Sequence, residues 1–524
     1  MTSQMIAQII AFVLYLGLMV FVGLRTAKNN NTASDFFLGN RKVGPWITAL
    51  SAEASDSSAW LLMGLPGLCY LGGFKETFWT AIGLLLGTYL AWLIIAKPLR
   101  KCSIAFGDSI TIPEFLTNRF KDKSHILSVI SVIFIVVFFT IYTASGFVAC
   151  AKLFRSVFGL NWNVGLIIGF VIILSYTIMG GYKAVCTTDF IQGTLIFIAF
   201  IVSSIFIIAA LGGPSDALGQ VENFMSNAFN GNLGADMAKS FKDNQASFSA
   251  TSIVSSLAWC LGYFGMPHII VRFMGIRSNK EIKTARRIGI SWMLISYIGT
   301  FIIGTFGTAY LLNKGILLGA NPETTVIEGV KVLGAGTQEA VFSETIIRMF
   351  PAFIAGIFLC AILAAAMSTA DSQLLAASSA VGQDIYKGLI KKDASEKSVL
   401  NVSRISVLVI ALVGLLLSLN PNSSIFGLVK YAWAGFGGTF GPLIILGLYW
   451  KGATAKGAIA GMITGGVTVV VWHNLTSLGG IFGIYEILPA FILSLLVTVI
   501  VSLCDKNKDP EVAAKFDEYK AMAD

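Results

Sequence analysis

Apolar runs of about 20 residues recur from one end of the sequence to the other, and a run of that length is what a helix needs to cross the hydrocarbon core of a bilayer. Thirteen such spans can be read, at about 5–24, 46–71, 77–96, 126–151, 163–180, 189–211, 251–271, 288–312, 347–380, 402–419, 425–449, 456–473 and 484–504. Composition agrees: 55% of the 524 residues are hydrophobic and only 12% charged, with a mean hydropathy of +0.77. A soluble protein is excluded, and the expected fold class is an all-α polytopic membrane protein. The first span lacks a preceding basic stretch and a following small-residue cleavage site, so it reads as a retained helix rather than a signal peptide. Cys69, Cys102, Cys150, Cys186, Cys260, Cys360 and Cys504 stand singly, and their spacing offers neither a metal site nor a disulfide framework.

An odd number of spans puts the two termini on opposite sides of the membrane. With the amino terminus outside, the cytoplasmic segments 25–44, 97–124, 181–188, 272–287, 382–404, 450–456 and 505–524 hold 28 of the 37 Lys and Arg residues. The excess of positive charge on cytoplasmic loops assigns the orientation, with the carboxyl terminus inside a cell membrane. The net charge of +9 is then a consequence of topology, and its partner is anionic membrane lipid rather than nucleic acid. Two long polar segments, 212–250 and 313–346, fall outside and have room for short helices or lids. The tail 505–524 is too short for an appended catalytic or signalling domain.

Spans 2–6 and 7–11 can be set against each other as two five-helix units, which, having an odd number of spans, must insert in opposite orientations. The resulting organisation is 1–45 first helix and cytoplasmic loop, 46–211 first repeat, 212–250 extracellular loop, 251–450 second repeat, 451–504 two peripheral helices, and 505–524 cytoplasmic tail. The opening span of each unit carries helix breakers, Gly64-Leu65-Pro66-Gly67 in one and Gly262 to Pro267 in the other. Paired interruptions at corresponding positions are a pointer to a binding site.

The first interrupted span contains SAEASDSSAWLLMGLPG, residues 51–67, in which Ser51, Glu53, Ser55, Asp56, Ser57 and Ser58 put two carboxylates and a cluster of hydroxyls at membrane depth. A carboxylate there costs about 2.5–3.5 kcal/mol, so it faces protein or an aqueous cavity rather than lipid. Asp56 reads either as an ion-coupling acid or as a structural acid bonded to another helix. Glu53 either shares its face or lies near the cytoplasmic mouth.

A second polar stretch is AILAAAMSTADSQ, residues 361–373. Ala365, Ser368, Thr369 and Ser372 recur at one-face helical spacing, and the neighbouring alanines allow close approach of another backbone. Two hydroxyls with a nearby carbonyl are hard oxygen ligands for a small alkali cation, and carbonyls freed near Ala54–Ser57 would complete its shell. The competing reading has Ser368 and Thr369 bonding back to their own helix. Asp371 follows the hydroxyl face within the membrane. Asp189, after Thr187 and Thr188, reads as an N-terminal helix cap or as part of an ion path. Trp259, Tyr263 and Pro267 at i, i+4 and i+8 could wall a small apolar ring or be packing, and Tyr142 has the same ambiguity. His125, His268 and His473 form no motif and are given no role.

Taken in order, SAEASDSSAWLLMGLPG, FFTIYTASG, LGYFGMPHIIVRFMG, ILAAAMSTADSQLL and YAWAGFGGTFGP resemble the sodium/solute symporter family, over about residues 10–500. The likeness is greatest to its bacterial proline-carrying members. The resemblance implies a five-plus-five inverted-repeat core with alternating access and sodium-coupled uptake of L-proline. Another small solute (a different amino acid, an organic acid or a sugar) is the alternative. It implies a sodium site at the carbonyls of Ala54, Ser57 and Ala365 and the hydroxyls of Ser368 and Thr369, with Asp56 as the coupling acid. It implies a proline pocket of Ser58, Ala59, Tyr142, Trp259, Tyr263 and Pro267, and a candidate second ion site near Asp189, Asp371 and Ser372. The chain departs from the family pattern in Ser57, where Met is common, in Ala59, where Gly is usual, and in the added carboxylates Glu53 and Asp371. An enzyme would need converging catalytic groups and a receptor an output domain, and the sequence shows neither.

Overall fold

The structure is a computed structural model that describes residues 2–27, 32–72, 74–246, 249–319, 329–334, 337–506 and 508–522. Among them, ten helices are long and apolar enough to cross a membrane, and the pair Ala250–Phe264 and Pro267–Gly275, bent by 45°, brings the count to eleven when taken as one span. Two expected spans fall short of that measure, so the count of thirteen is not reached by length and apolarity. Span 46–71 is three consecutive helices, Pro45–Ala59, Trp60–Gly64 and Leu65–Gly72, with its carboxylates in the first. In span 163–180 the apolar helix Trp162–Ser175 is shorter than the rest.

Burial sorts these helices into a centre and a periphery. The apolar stretches of helices Ile425–Tyr449 and Ala352–Ile390 are 83% and 78% buried, against 28% for Ser3–Thr26 and 33% for Ile487–Cys504. The peripheral helices turn Val13, Ile500 and Leu503 outward, as lipid-facing helices do because the surrounding solvent is itself apolar. Small residues let helices of the centre approach closely. A side chain on Gly193 would stand 3.2 Å from the Ala54 Cβ, so glycine lets the helix carrying Asp189 close on the polar stretch.

Several boundaries differ from the sequence expectation. Residues 181–188 are not a loop: helix is continuous over Trp162–Ala210 except at Gly181, whose φ of 64° breaks it. The span expected at 347–380 starts at Ala352, after Pro351, and continues through a π-helical segment to Ile390. Segment 212–250 holds the helices Pro214–Phe229 and Ala235–Ala246. Segment 313–346 holds a two-residue parallel strand pair, Ile316–Leu317 with Lys331–Val332, and a 3-10 turn at Thr337–Ala340. Residues 247–248, 320–328 and 335–336 of these segments lie outside the described residues. The tail folds into the helix Pro510–Ala521.

The segments expected in the cytoplasm gather at one end. Arg41 pairs with Asp108 at 2.9 Å, and Arg100 donates to the Ile276 carbonyl at 2.8 Å. Thr111 donates to Asp384 at 2.8 Å, while Lys121 and Lys451 hold Asp509 and Asp517 of the tail at 2.7 and 2.5 Å. At the opposite end Lys152 pairs with Glu339 at 2.5 Å, and the Trp162 indole donates to the Ser418 carbonyl at 3.2 Å.

Candidate functional site

The polar stretch folds as helix only as far as Ser57. Ser58 has φ 25° and ψ −179°, a conformation that costs a non-glycine residue of order 1–3 kcal/mol and persists only where the surroundings impose it. The break therefore falls at Ser58, six residues before the expected Gly64–Gly67, which lie within continuous helix. An unbroken helix would send the Trp60 amide to the Asp56 carbonyl. It turns instead to the carbonyls of Ser57 and Ser58. Every residue from Thr48 to Gly64 is buried.

The carbonyls just before the break face the hydroxyls of helix Ala352–Ser379. The Ser368 hydroxyl lies 2.8 Å from the Ala54 carbonyl and 3.2 Å from that of Ala365. The Thr369 hydroxyl lies 2.8 Å from the Ser55 carbonyl. Ser368 thus bonds both back to its own helix and across, whereas Thr369 crosses. The arrangement brings Ala54, Ala365, Ser368 and Thr369 together and adds the Ser55 carbonyl. Ser57 contributes less directly, since its carbonyl serves the Trp60 amide and its hydroxyl contacts the Met293 sulfur at 3.8 Å. The His268 Nε2 is 3.2 Å from the Ser55 carbonyl, and as a donor to it leaves Nδ1 without a partner among the described residues.

Asp56 points to the other side of the break. Its Oδ2 accepts from the Tyr263 phenol at 2.5 Å, its Oδ1 has no hydrogen-bond partner among the described residues, and its carbonyl accepts from the Tyr142 hydroxyl at 3.5 Å. Tyr263 and Trp259 lie in a 3-10 turn, Ala258–Phe264, so their spacing is not that of a continuous α-helix face. Trp259 stacks on Trp60 with ring centroids 6.0 Å apart and also meets Trp433 at 6.1 Å. Tyr263 stands edge-on to Trp433 at 4.9 Å. The ring wall is therefore Trp60, Trp259, Tyr263 and Trp433, joined to the broken helix through the Tyr263–Asp56 hydrogen bond. Pro267 begins the next helix and lines a separate cavity with Phe37, Thr111, Tyr182, Arg272 and Ser372.

Asp189 is not a helix cap. It lies two turns beyond Gly181, fully buried, where its Oδ2 accepts from Ser51 at 2.6 Å and pairs with Arg272 at 3.3 Å. The Arg272 guanidinium also donates to Ser51 at 3.2 Å, to the Ser372 hydroxyl and to the His268 carbonyl. Ser372 in turn donates to Asp371 at 3.2 Å. Glu53 belongs to neither group. It is held by the Trp92 indole at 2.8 Å and by Thr88 at 3.3 Å, against Gly289.

Sequence reasoning missed Arg272, His268, Trp60 and Trp433. Arg272 was counted with the cytoplasmic cations, and only its spacing of four from His268 on an otherwise apolar helix distinguished it. Among the described residues no three His, Cys, Asp or Glu side chains form a metal cluster. The oxygens that meet at the break are carbonyls and hydroxyls, which suit a sodium ion.

The sequence profile of the Sodium:solute symporter family matches residues 36–465. The osmoregulated proline transporter OpuE of Bacillus subtilis strain 168 is 42% identical, over 95% of this chain and 95% of its own. The sodium/proline symporter of Escherichia coli strain K12 is 40% identical, over 98% of this chain and 96% of its own. Among solved structures, a Na+-coupled sialic acid symporter, substrate-bound and outward-open, superposes with a TM-score of 0.74 at 21% identity, covering 95% of this chain and 98% of that one. At that identity the likeness concerns the fold alone.

Proposed function

The chain belongs to the sodium:solute symporter family, and on that premise we propose that it imports L-proline together with sodium by alternating access. It is a transporter of the membrane, not an enzyme. The observation that carries the reading is the break at Ser58, where carbonyls of one helix meet the hydroxyls of Ser368 and Thr369 while Asp56 and an aromatic wall stand on the far side. The names of relatives about 40% identical over nearly the whole chain support sodium and proline as the pair carried.

In this reading sodium is bound by the oxygens of Ala54, Ser57, Ala365, Ser368 and Thr369, and so ties the broken helix to its neighbour. Asp56 supplies negative charge within the same buried region. Proline places its carboxylate at the helix start created by Ser58 and Ala59 and its ring against Tyr142, Trp259 and Tyr263, while Pro267, which lines a separate cavity, falls outside this pocket. Both ligands depend on the conformation of Ser55–Ala59, so each raises the affinity for the other. Inward sodium movement contributes roughly 2.3 kcal/mol per charge per 100 mV, enough for about fifty-fold accumulation of a coupled solute.

The same reading takes the amino terminus as outside and the carboxyl terminus as cytoplasmic, since the cation-rich segments share one end of the fold. It takes 46–211 and 251–450 as inverted repeats, each opened by a broken helix, with anionic lipid as the partner of the basic end. The test is radiolabelled proline uptake into membrane vesicles. Uptake should require a sodium or lithium gradient and collapse when choline replaces the cation. Cation-independent uptake, or proline that neither enters nor competes, would refute it and move the search to other small solutes.

A further inference from the structure

At the end where the basic segments gather, a cavity of about 420 Å³ opens between the tail and the last two membrane helices. Its walls come from three separate stretches: residues 120–123, the turn 451–456 that leads into helix Ala455–Leu475, and residues 505–513 that lead into the tail helix. Five lysines line it, Lys121, Lys123, Lys451, Lys456 and Lys508, against two carboxylates, Asp505 and Asp509. Both carboxylates are already engaged, Asp505 by Lys456 at 3.3 Å and Asp509 by Lys121 at 2.7 Å. Lys451 turns to Asp517 of the tail helix at 2.5 Å, and the nearby Glu511 is taken by Lys121 and Lys515. Lys123 and Lys508 are exposed and form no ion pair among the described residues. The cavity therefore keeps an excess of positive charge. It also lies where the lipid-facing surface ends: Ile500 and Leu503, in the last turns of helix Ile487–Cys504, are 57% and 62% exposed, and the polar wall begins at Asp505.

We infer that this cavity seats the phosphate headgroup of an anionic phospholipid, whose acyl chains lie on the exposed apolar face of helices Ala455–Leu475 and Ile487–Cys504. The inference deepens the reading above of anionic lipid as the partner of the basic end, and rests on its assignment of that end to the cytoplasmic leaflet. A basic pocket between helices at that leaflet suits a lipid headgroup. A lipid fits better than a free anion because charge and apolar surface are contiguous here. Leu503 and Asp505 are two residues apart, and a phosphodiester joined to hydrocarbon changes character over the same boundary. The headgroup also answers a repulsion within the chain. Lys508 belongs to the tail segment, Lys123 and Lys456 to the helical core, and like charges around one cavity oppose closure of the tail on the core. A phosphate among them turns that repulsion into attraction. It thus adds to the other holds on the tail helix, which are the Lys121 and Lys451 ion pairs and the Phe516 ring, 4.9 Å from the Arg119 guanidinium. A zwitterionic lipid brings its own ammonium and does this less.

The test titrates the purified chain in detergent with a fluorescent short-chain phosphatidylglycerol and follows amide exchange over 510–521 in parallel. Phosphatidylglycerol should bind saturably and raise protection of the tail helix, and phosphatidylcholine should do neither. Each of Lys123→Gln, Lys456→Gln and Lys508→Gln should weaken binding about fivefold, the effect of one lysine beside a headgroup. All three side chains are exposed, so the variants should fold. Lys391→Gln combined with Lys392→Gln removes two exposed lysines outside the cavity and should leave binding within about twofold, because salt screens charges beyond a Debye length. Equal losses in the two sets would mean diffuse attraction to the whole basic end and overturn the site. Displacement of the lipid by inorganic phosphate at equal concentration would make this a free-anion site and overturn the lipid assignment, as would equal binding of phosphatidylcholine. Binding in detergent is read without reference to orientation or to transport. A chain that binds the lipid in this cavity yet imports no proline therefore refutes the symport reading alone.

Discussion

Tyr263→Phe removes one oxygen and leaves the ring in place, and the structure says what that oxygen does. The Asp56 carboxylate is 1% exposed. Its Oδ2 accepts from Tyr263 at 2.5 Å, and its Oδ1 has no partner among the described residues. The substitution thus takes away the only side-chain hydrogen bond that the described residues make to a buried acid. Hydrogen bonds to charged groups contribute about 1.5–3 kcal/mol, which converts to about a 10- to 150-fold rise in the sodium concentration needed for half-maximal proline binding. The assay is radiolabelled proline binding to purified protein at graded sodium, which reports on Asp56 variants that no longer transport. The edge-on packing of ring 263 against Trp433 is retained in Phe, so the chain should still fold and reach the membrane. In an Asp56→Asn background the same substitution should cost less than about threefold, because contacting residues are non-additive. A change of less than about twofold in the single variant would refute the reasoning, as would equal costs in the two backgrounds.

Ser368→Ala and Thr369→Ala should each weaken sodium activation of uptake more than they change which solutes compete, and unchanged sodium dependence at normal membrane levels in both would remove this site. Trp259→Ala deletes a ring that touches Trp60, Trp433 and Tyr485; at saturating sodium it should raise the proline concentration for half-maximal uptake far more than it raises the sodium requirement at saturating proline. Gly289→Ala would put a methyl group 2.6 Å from a Glu53 oxygen, and overpacking of this kind costs about 1–3 kcal/mol, so thermal unfolding in detergent should fall measurably, with Glu53→Gln as the comparison. At the surface, hydrogen bonds from Lys121 hold Asp509 and Glu511 below the usual carboxylate range. The attachment of the tail helix they support is complete above the unfolded carboxylate range and is lost as pH falls through their lowered values, which amide exchange over 510–521 at pH 7 and in acid should report as reduced protection.

Much of the candidate site was legible in the chain, because its signals are local. An apolar run of spanning length determines a membrane helix, and carboxylates inside one demand partners. The spacing of Ser368 and Thr369 put both hydroxyls toward one neighbour, which proved to be the Ala54–Ser55 backbone. The basic segments, chosen by charge alone, converge on one end of the fold. Other features depended on contacts between residues far apart. Gly64, Pro66 and Gly67 are the residues that permit a break, but the break lies at Ser58, where Trp60 packing on Trp259 and the hydroxyls facing Ala54 and Ser55 accompany a strained backbone. Asp189 has the local signature of a helix cap after two threonines. Only the packing of helix Pro267–Gly275 against it reveals that its partner is Arg272, 83 residues away. Sequence proximity sets propensity and periodicity. Which charge answers which across the core is decided by the packing of helices whose order along the chain does not predict their contacts.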